Sequence, residues 1–494
     1  TEVEKIHLLP QENLPDTQAL SVRAFSFQAK KYAFTTPDQV YKISLAELNL
    51  NTQDSTLQLA GIKVKPQFSE QNRLNNLKKH KATFVDVVLD SLTTNRLDFY
   101  RLVTKQEISL GGLFVHSLQL EVNRDQRMPR QIKQKKQNLK QVLANLPLYI
   151  RADTLALKNA SIKYVQKTAK KKNEFVVAHQ ADSIHLYLRH VALGKAADSI
   201  TKDKLLFSES VDLEMHNYRH QTPDGLYKIA LDKALVSSRK SLVHIQNASL
   251  IPQLPRQAFA QRKFYRSIRL DAQVKSLQFT KLDIEKLVYN QEFIMRGLYV
   301  NQPRFEAYTD KRLPKRPAQQ YQNFEQMLQS IPLHVEVDTL AIRNASMKYI
   351  EQQARKSTGD GLAIHKAQKM DILVQRIQLG KALKGSALAE LDTKSLLIDV
   401  KNYRFKTPDG IYELLFKDLE VSSARSLIEI DSLQLRPLLS DSAFVQKTQY
   451  RKPLFKFALA DLKAQDINFD KLLLYQEFDW GKLYLNQPQI DVFV

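Results

Sequence analysis

Hydrophobic residues recur at every second position in short stretches of this chain. Tyr41, Ile43 and Leu45 alternate with Lys42 and Ser44; Tyr227, Ile229 and Leu231 repeat the pattern, as do Tyr412, Leu414 and Phe416. Such alternation predicts strands that are apolar on one face and wet on the other. Leu48 and Leu50, Ala234 and Val236, and Leu419 and Val421 read as the continuation of each strand in the same phase. Polar breaks at 51–55, 237–241 and 422–426 predict turns, and strands return through Leu57 and Leu59, Val243 and Ile245, and Ile428 and Ile430. Each following strand closes at a proline, Pro66, Pro252 or Pro437, which has no N–H for a ladder. Further along, Leu333, Val335 and Val337 are odd-numbered while Leu340 and Ile342 are even, so a bulge or short turn is expected at Asp338-Thr339, with a tight turn at Asn344-Ala345. The same features are expected at Asp153-Thr154 and Asn159-Ala160. Only Arg130 to Leu146, with Ile132, Leu139, Val142, Leu143 and Leu146 on one stripe, reads as a substantial helix, and Phe324, Met327, Leu328 and Ile331 repeat it.

These patterns repeat. Leu146 to Tyr164 matches Ile331 to Tyr349 position by position, with Pro147 and Pro332 lying 185 residues apart. Gln106-Glu107 recurs at Gln291-Glu292 and Gln476-Glu477, and Thr-Pro-Asp-x-apolar-Tyr occurs at Thr36, Thr222 and Thr407. A fixed period of this length means stacked units sharing a core. The expected organisation is an irregular entry segment at 1–25, repeats at 26–210 and 211–395, and a partial repeat at 396–494, forming one elongated unit. Roughly ten strands and one helix are expected per repeat. The third repeat stops in mid-period, the expectation for a piece of something longer.

Composition narrows the partners. The formal net charge of +22 favours anionic ones without choosing among nucleic acid, anionic lipid and polyanionic polymer. There is no cysteine, hence no disulfide and no thiolate metal site. No apolar run is long enough to cross a bilayer as a helix. No phosphate loop, nucleophile elbow or dinucleotide fingerprint is present, and no metal or cofactor is expected. His216 and His220 lie in a strand-like stretch, where a four-residue spacing does not gather ligands. The recurrent Gln-Glu and Pro-Asp pairs read as turn and bridge chemistry, because a catalytic pair is made once and not in every repeat. Basic clusters at Arg130, Lys133, Lys136 and Lys140 and at Lys170, Lys171 and Lys172 suit anionic headgroups or a generic charged surface. Nucleic acid is not expected, since the aromatic residues keep strand phase with aliphatic ones instead of interleaving with the charges.

The segment from Tyr41-Lys-Ile-Ser-Leu to Pro66, Asp310-Lys-Arg-Leu-Pro314 and Leu340-Ala-Ile-Arg-Asn-Ala-Ser-Met-Lys-Tyr-Ile-Glu351 together resemble the AsmA-like family of bacterial envelope proteins, which is related in architecture to TamB-type and bridge-like lipid-transfer proteins. The resemblance implies a mainly β fold, a long twisted antiparallel sheet curled into an open groove, here of about 2.7 repeats with one amphipathic helix each. It also implies phospholipid partners, a periplasmic setting between inner and outer membranes, and a membrane anchor that this chain does not contain. Alternation by itself leaves two outcomes: the apolar faces close on each other as a core, or they stay open as a trough for acyl chains. The resemblance points to the trough, lined by Tyr41, Ile43, Leu45, Ile229, Leu231, Leu340, Ile342, Met347, Leu414 and Phe416. The rival is a structural or adhesive β-repeat scaffold with a closed core that binds an anionic polymer through its basic loops.

Overall fold

The computed structural model describes residues 2–10, 22–67, 83–125, 149–167, 175–194, 204–315, 334–354, 361–379, 395–447, 453–475 and 477–493. The helix expected at 130–146, its counterpart at 324–331 and both basic clusters lie outside these residues. By contacts the chain divides into two units, Thr1–Gly225 with Leu231–Leu242, and Leu226–Ala230 with Val243–Val494.

Both units are mainly β. The first carries β1 (Glu2–Pro10), β2 (Val22–Thr35), β3 (Tyr41–Asn51), β4 (Thr56–Pro66), β5 (Thr83–Asn95), β6 (Glu107–Asp125), β7 (Tyr149–Lys167), β8 (Phe175–Leu193) and β9 (Ser208–Gln221). The strands β10 (Tyr227–Ser237) and β11 (Leu242–Pro252) straddle the division. The second unit continues with β12 (Ile268–Thr280), β13 (Glu292–Asp310), β14 (His334–Gln352), β15 (Leu362–Leu379), β16 (Leu396–Lys406), β17 (Tyr412–Ser422), β18 (Leu427–Pro437), β19 (Leu454–Gln465), β20 (Lys482–Asn486) and β21 (Gln489–Phe493). Consecutive strands pair from β1 to β9 and from β12 to β20, with β21 also on β19. Together with β10 and β11 these strands belong to one sheet, which among the described residues does not close into a barrel. The helices α1 (Phe99–Lys105), α2 (Arg256–Lys263), α3 (Ile284–Asn290) and α4 (Asp441–Lys447) are short connectors.

Four expectations change. Glu2–Pro10 is a strand paired with β2, so the first 25 residues are not wholly irregular. The sheet is mixed, because β6 pairs with β7 and β13 with β14 in parallel. A parallel neighbour needs a connection of a dozen residues or more, which 126–148 and 316–333 are long enough to supply. Among the described residues each period holds seven strands, β3 to β9 and β10 to β16, against the ten expected. The tight turns expected at Asn159 and Asn344 are kinks inside strands of 19 residues.

The kinks are the main local device. Asn159 and Asn344 do not turn the chain; they sit within β7 and β14 at φ 55° and 53°. Lys31 (φ 53°), Gly61 (φ 64°), Ser117 (φ 54°), Asn217 (φ 51°), Gln302 (φ 50°), Asn402 (φ 54°), Ser432 (φ 54°) and Gln487 (φ 50°) do the same in β2, β4, β6, β9, β13, β16, β18 and the β20–β21 junction. Across an antiparallel pair the residue facing each kink lets both strands slip together: β2 and β3 keep one register from Lys30↔Glu47 to Tyr32↔Leu45. A left-handed residue re-aims the chain by one position. Hence Leu48 and Leu50 change numerical phase relative to Ile43 and Leu45, yet all four stay on one face. The sequence reading of an unbroken phase through residue 46 was therefore incorrect. The slip at Asp338 is real and belongs to a second crease, at the level of Arg376 (φ 52°) in β15, just as Asp153 in β7 lies at the level of His190 (φ 46°) in β8.

The recurrent markers are joints. Thr36 Oγ1 donates to Asp38 Oδ1 (2.6 Å) and accepts from the Tyr41 N–H (3.0 Å), and Thr407 repeats both bonds with Asp409 and Tyr412. In Gln106-Glu107 and Gln291-Glu292 the glutamine is the left-handed C-cap of α1 or α3 and the glutamate opens the next strand. Asp98 and Asp283 cap the other ends of the same helices.

Candidate functional site: the apolar sheet face

In the first unit one row of directly paired residues runs Ala29, Leu48, Leu59, Leu92, Val115, Leu157, Leu186, Leu213 across eight strands. In the second unit a row runs Leu277, Val300, Ile342, Ile372, Ile398, Val421, Ile428, Ala464, Leu483 across nine. Beyond the crease a further row continues on the same face: Ala307, Tyr349, His365, Phe405, Leu414, Leu435, Phe457, Ile490. One residue along from the Ile372 row the other face reads Asp371, Asp399, Glu420, Glu429, Lys463. The sheet is thus apolar on one face and charged on the other.

Burial along the apolar rows is intermediate. Of the eight residues in the first row only Ala29 is buried, and of the nine in the second only Ala464. Large aliphatic side chains in a closed interior are mostly buried outright. Here they touch their cross-strand neighbours and keep a share of exposed surface.

The structure places all ten residues expected to line this face on strands. Ile43 pairs with Phe34 and Val64, Ile342 with Val300 and Ile372, Met347 with Phe305 and Ala367, and Leu414 with Phe405 and Leu435. Leu340 pairs with Leu298 and Val374, and Leu45 with Tyr32. Phe416 is buried; Ile229, Leu231 and the remaining seven are half-buried. Tyr41, Ile43, Leu45 and Leu231 belong to the first unit, and Ile229, Leu340, Ile342, Met347, Leu414 and Phe416 to the second.

Tyr41 does more than line the face. The Val85 N–H on β5 donates to Tyr41 Oη at 3.2 Å, reaching past Pro66 on the strand between. The Leu270 N–H donates to Tyr227 Oη and the Phe455 N–H to Tyr412 Oη, both at 3.2 Å. Each proline interrupts a ladder, and each tyrosine supplies an acceptor to the strand beyond it.

The sequence reading overlooked a pairing of histidine with tyrosine. His179 Nδ1 lies 2.6 Å from Tyr218 Oη, and His365 Nδ1 lies 2.7 Å from Tyr403 Oη, at equivalent positions of the period. His179 stacks on His220 (4.5 Å) and His365 on Phe405 (4.4 Å). Desolvation lowers both imidazole pKa values, helped at His179 by His220, and desolvation raises those of Tyr218 and Tyr403. The signal was legible, since His179 and His365 stand in matching surroundings, but histidines were weighed only as metal ligands.

On the charged face, carboxylates are generally engaged. Lys401 Nζ lies 3.3 Å from Asp418, and Lys463 lies 3.9 Å from Glu429. Glu420 pairs with Arg425, and Asp371 accepts the Asn344 N–H at 2.6 Å. Ser183 Oγ and His185 Nε2 are 3.3 Å apart, a contact that suggests a nucleophile and base. The Asn159 N–H donates to His185 Nδ1, however, so in the neutral ring Nε2 carries the proton and faces Ser183 as a donor. Among the described residues no group of His, Cys, Asp and Glu is arranged to hold a metal, and no helix is long and apolar enough to cross a membrane.

No protein-family model and no curated protein matches the chain.

Proposed function

We propose that this chain is a non-enzymatic lipid-binding protein whose apolar sheet face carries phospholipid acyl chains, and that it moves them between the inner and outer membranes of a bacterial envelope. One observation supports this reading above the others: unbroken rows of aliphatic side chains cross eight or nine strands and, apart from one buried alanine in each, keep part of their surface exposed. Water is a poor solvent for such a face, and an acyl chain laid along it removes about 0.8 kcal/mol of unfavourable hydration per methylene. Successive strands offer near-identical contacts, so a chain can slide with little change in energy while its headgroup remains in water. The creases add to this, because they keep aliphatic residues on one face through strands too long for simple alternation. The envelope setting comes from the resemblance to AsmA-like proteins.

The test is lipid extraction and mass spectrometry on protein purified without detergent, with native mass spectrometry to count bound molecules. Several phospholipids per chain are expected, with fewer in folded Ile229→Asp and Leu414→Asp variants. A stable, monodisperse, lipid-free protein would leave the closed-core scaffold as the better account.

A further inference from the structure

The charged face of the second unit departs from the period at one place. In the first unit Lys163 on β7, Gln180 on β8 and Arg219 on β9 are directly paired, and each cation has a carboxylate: Lys163 lies 3.3 Å from Glu121 and Arg219 lies 3.7 Å from Asp182. In the second unit the same register places Lys348 on β14, Lys366 on β15 and Arg404 on β16 side by side. Lysine replaces Gln180, and Gln368 replaces Asp182, so the site gains two positive charges. Lys369, opposite Lys401, adds to the same surface. Like charges directly opposite across a ladder are destabilising.

The carboxylates on the flanking strands are already engaged. Glu306 on β13 accepts from Arg256 at 2.6 Å and is 3.5 Å from Lys348; Glu413 on β17 accepts two bonds from Arg436, at 3.2 and 2.8 Å. Among the described residues Lys366, Lys369 and Arg404 have no ion pair, and all three are exposed. A repeating scaffold needs its structural joints in each copy, but this basic row occurs in only one of the two compared periods.

We infer that Lys348, Lys366, Lys369 and Arg404 form a docking surface for the phosphate groups of an anionic phospholipid bilayer. Three cations on adjacent strands, about 4.8 Å apart, present a line of donors that one small anion cannot satisfy but a surface of phosphodiesters can. The inference rests on the lipid-binding reading only for choosing a bilayer as the source of phosphate. It places membrane contact on the charged face of β14 to β16, opposite the face that takes acyl chains.

The experiment restores the pattern of the first period with the double variant Lys366→Gln, Gln368→Asp. Flotation with phosphatidylcholine vesicles containing phosphatidylglycerol is compared with pure phosphatidylcholine vesicles, and bound lipid is counted on the same samples by native mass spectrometry. Removing two units of charge from a bilayer contact is expected to weaken binding to the anionic vesicles about 30-fold. Bound acyl lipid should be unchanged, so a loss confined to docking is distinguishable from failure of the apolar face. The control variant Lys63→Gln, Lys281→Gln removes the same charge elsewhere and is expected to bind nearly as the parent does. Equal weakening by both variants would mean that net charge alone is felt and would overturn the site. So would undiminished vesicle binding by the first variant, or a loss seen only with RNA in place of vesicles.

Discussion

Replacing Leu414 by aspartate puts a carboxylate in the middle of an apolar row and separates an open face from a closed one by size of effect. Leu414 is half-buried between Phe405 and Leu435 on its neighbouring strands. Full burial of a leucine is worth roughly 1.5–3 kcal/mol, so the half realised here is about 1 kcal/mol. The lower strand preference of aspartate adds up to about 1 kcal/mol. The expected cost is thus about 2 kcal/mol, with the carboxylate still in water. Urea unfolding of the whole chain, followed by a probe in the second unit, would show a transition displaced by roughly 1 M or less. In a closed core the same change would cost about 2–5 kcal/mol for the lost side chain, and several more for an unpaired buried charge. That carboxyl's pKa would also rise on folding, so the variant's deficit would grow as pH rises through the acid range. A second unit unfolded without urea at neutral pH, and rescued at acid pH, would refute the open face.

Tyr412→Phe leaves the Phe455 N–H without its acceptor; a loss of about 1 kcal/mol and faster hydrogen exchange at that amide are expected, while the Leu270 amide under Tyr227 stays protected. Gly61→Ala should cost about 2 kcal/mol, because φ is 64° and the new Cβ would stand 2.7 Å from Ala46 Cβ; adding Ala46→Gly should return part of that in a double-mutant cycle of urea midpoints. Desolvation holds the folded pKa of His365 below the usual imidazole value of 6.5, against an opposing pull from Glu351. The unfolded chain then binds the proton more readily, so stability present above pH 6.5 is lost as pH falls through that value toward the folded pKa. His365→Phe should flatten this part of the urea-midpoint profile.

Much of the fold is legible in the sequence because a repeat states each instruction more than once. The hairpin turns at 51–55, 237–241 and 422–426 and the strand-closing prolines follow directly from turn chemistry and the missing N–H. The creases were misread for a physical reason. A one-residue phase slip looks the same whether the chain turns back at Asn344 or passes through a left-handed residue and continues, and only the partner strand decides between them. The parallel pairing of β6 with β7 left no local trace, since its register is set by a connection and not by a turn. On the candidate face, period-two alternation identified Ile342 and Leu414, but it could not say whether anything lies over them. The unmatched row at Lys348, Lys366 and Arg404 emerged only once register had placed three separate strands side by side.

The absence of cysteine allows the most direct measurement, a single-cysteine scan with a nitroxide label along β17, read by contact with spin-labelled phospholipid acyl chains. The apolar-face account predicts contact at 414 and 416, then at 419 and 421, the change from even to odd marking the crease at Lys417. Contact instead at 413, 415, 418 and 420, or at no position in lipid-loaded protein, would contradict it.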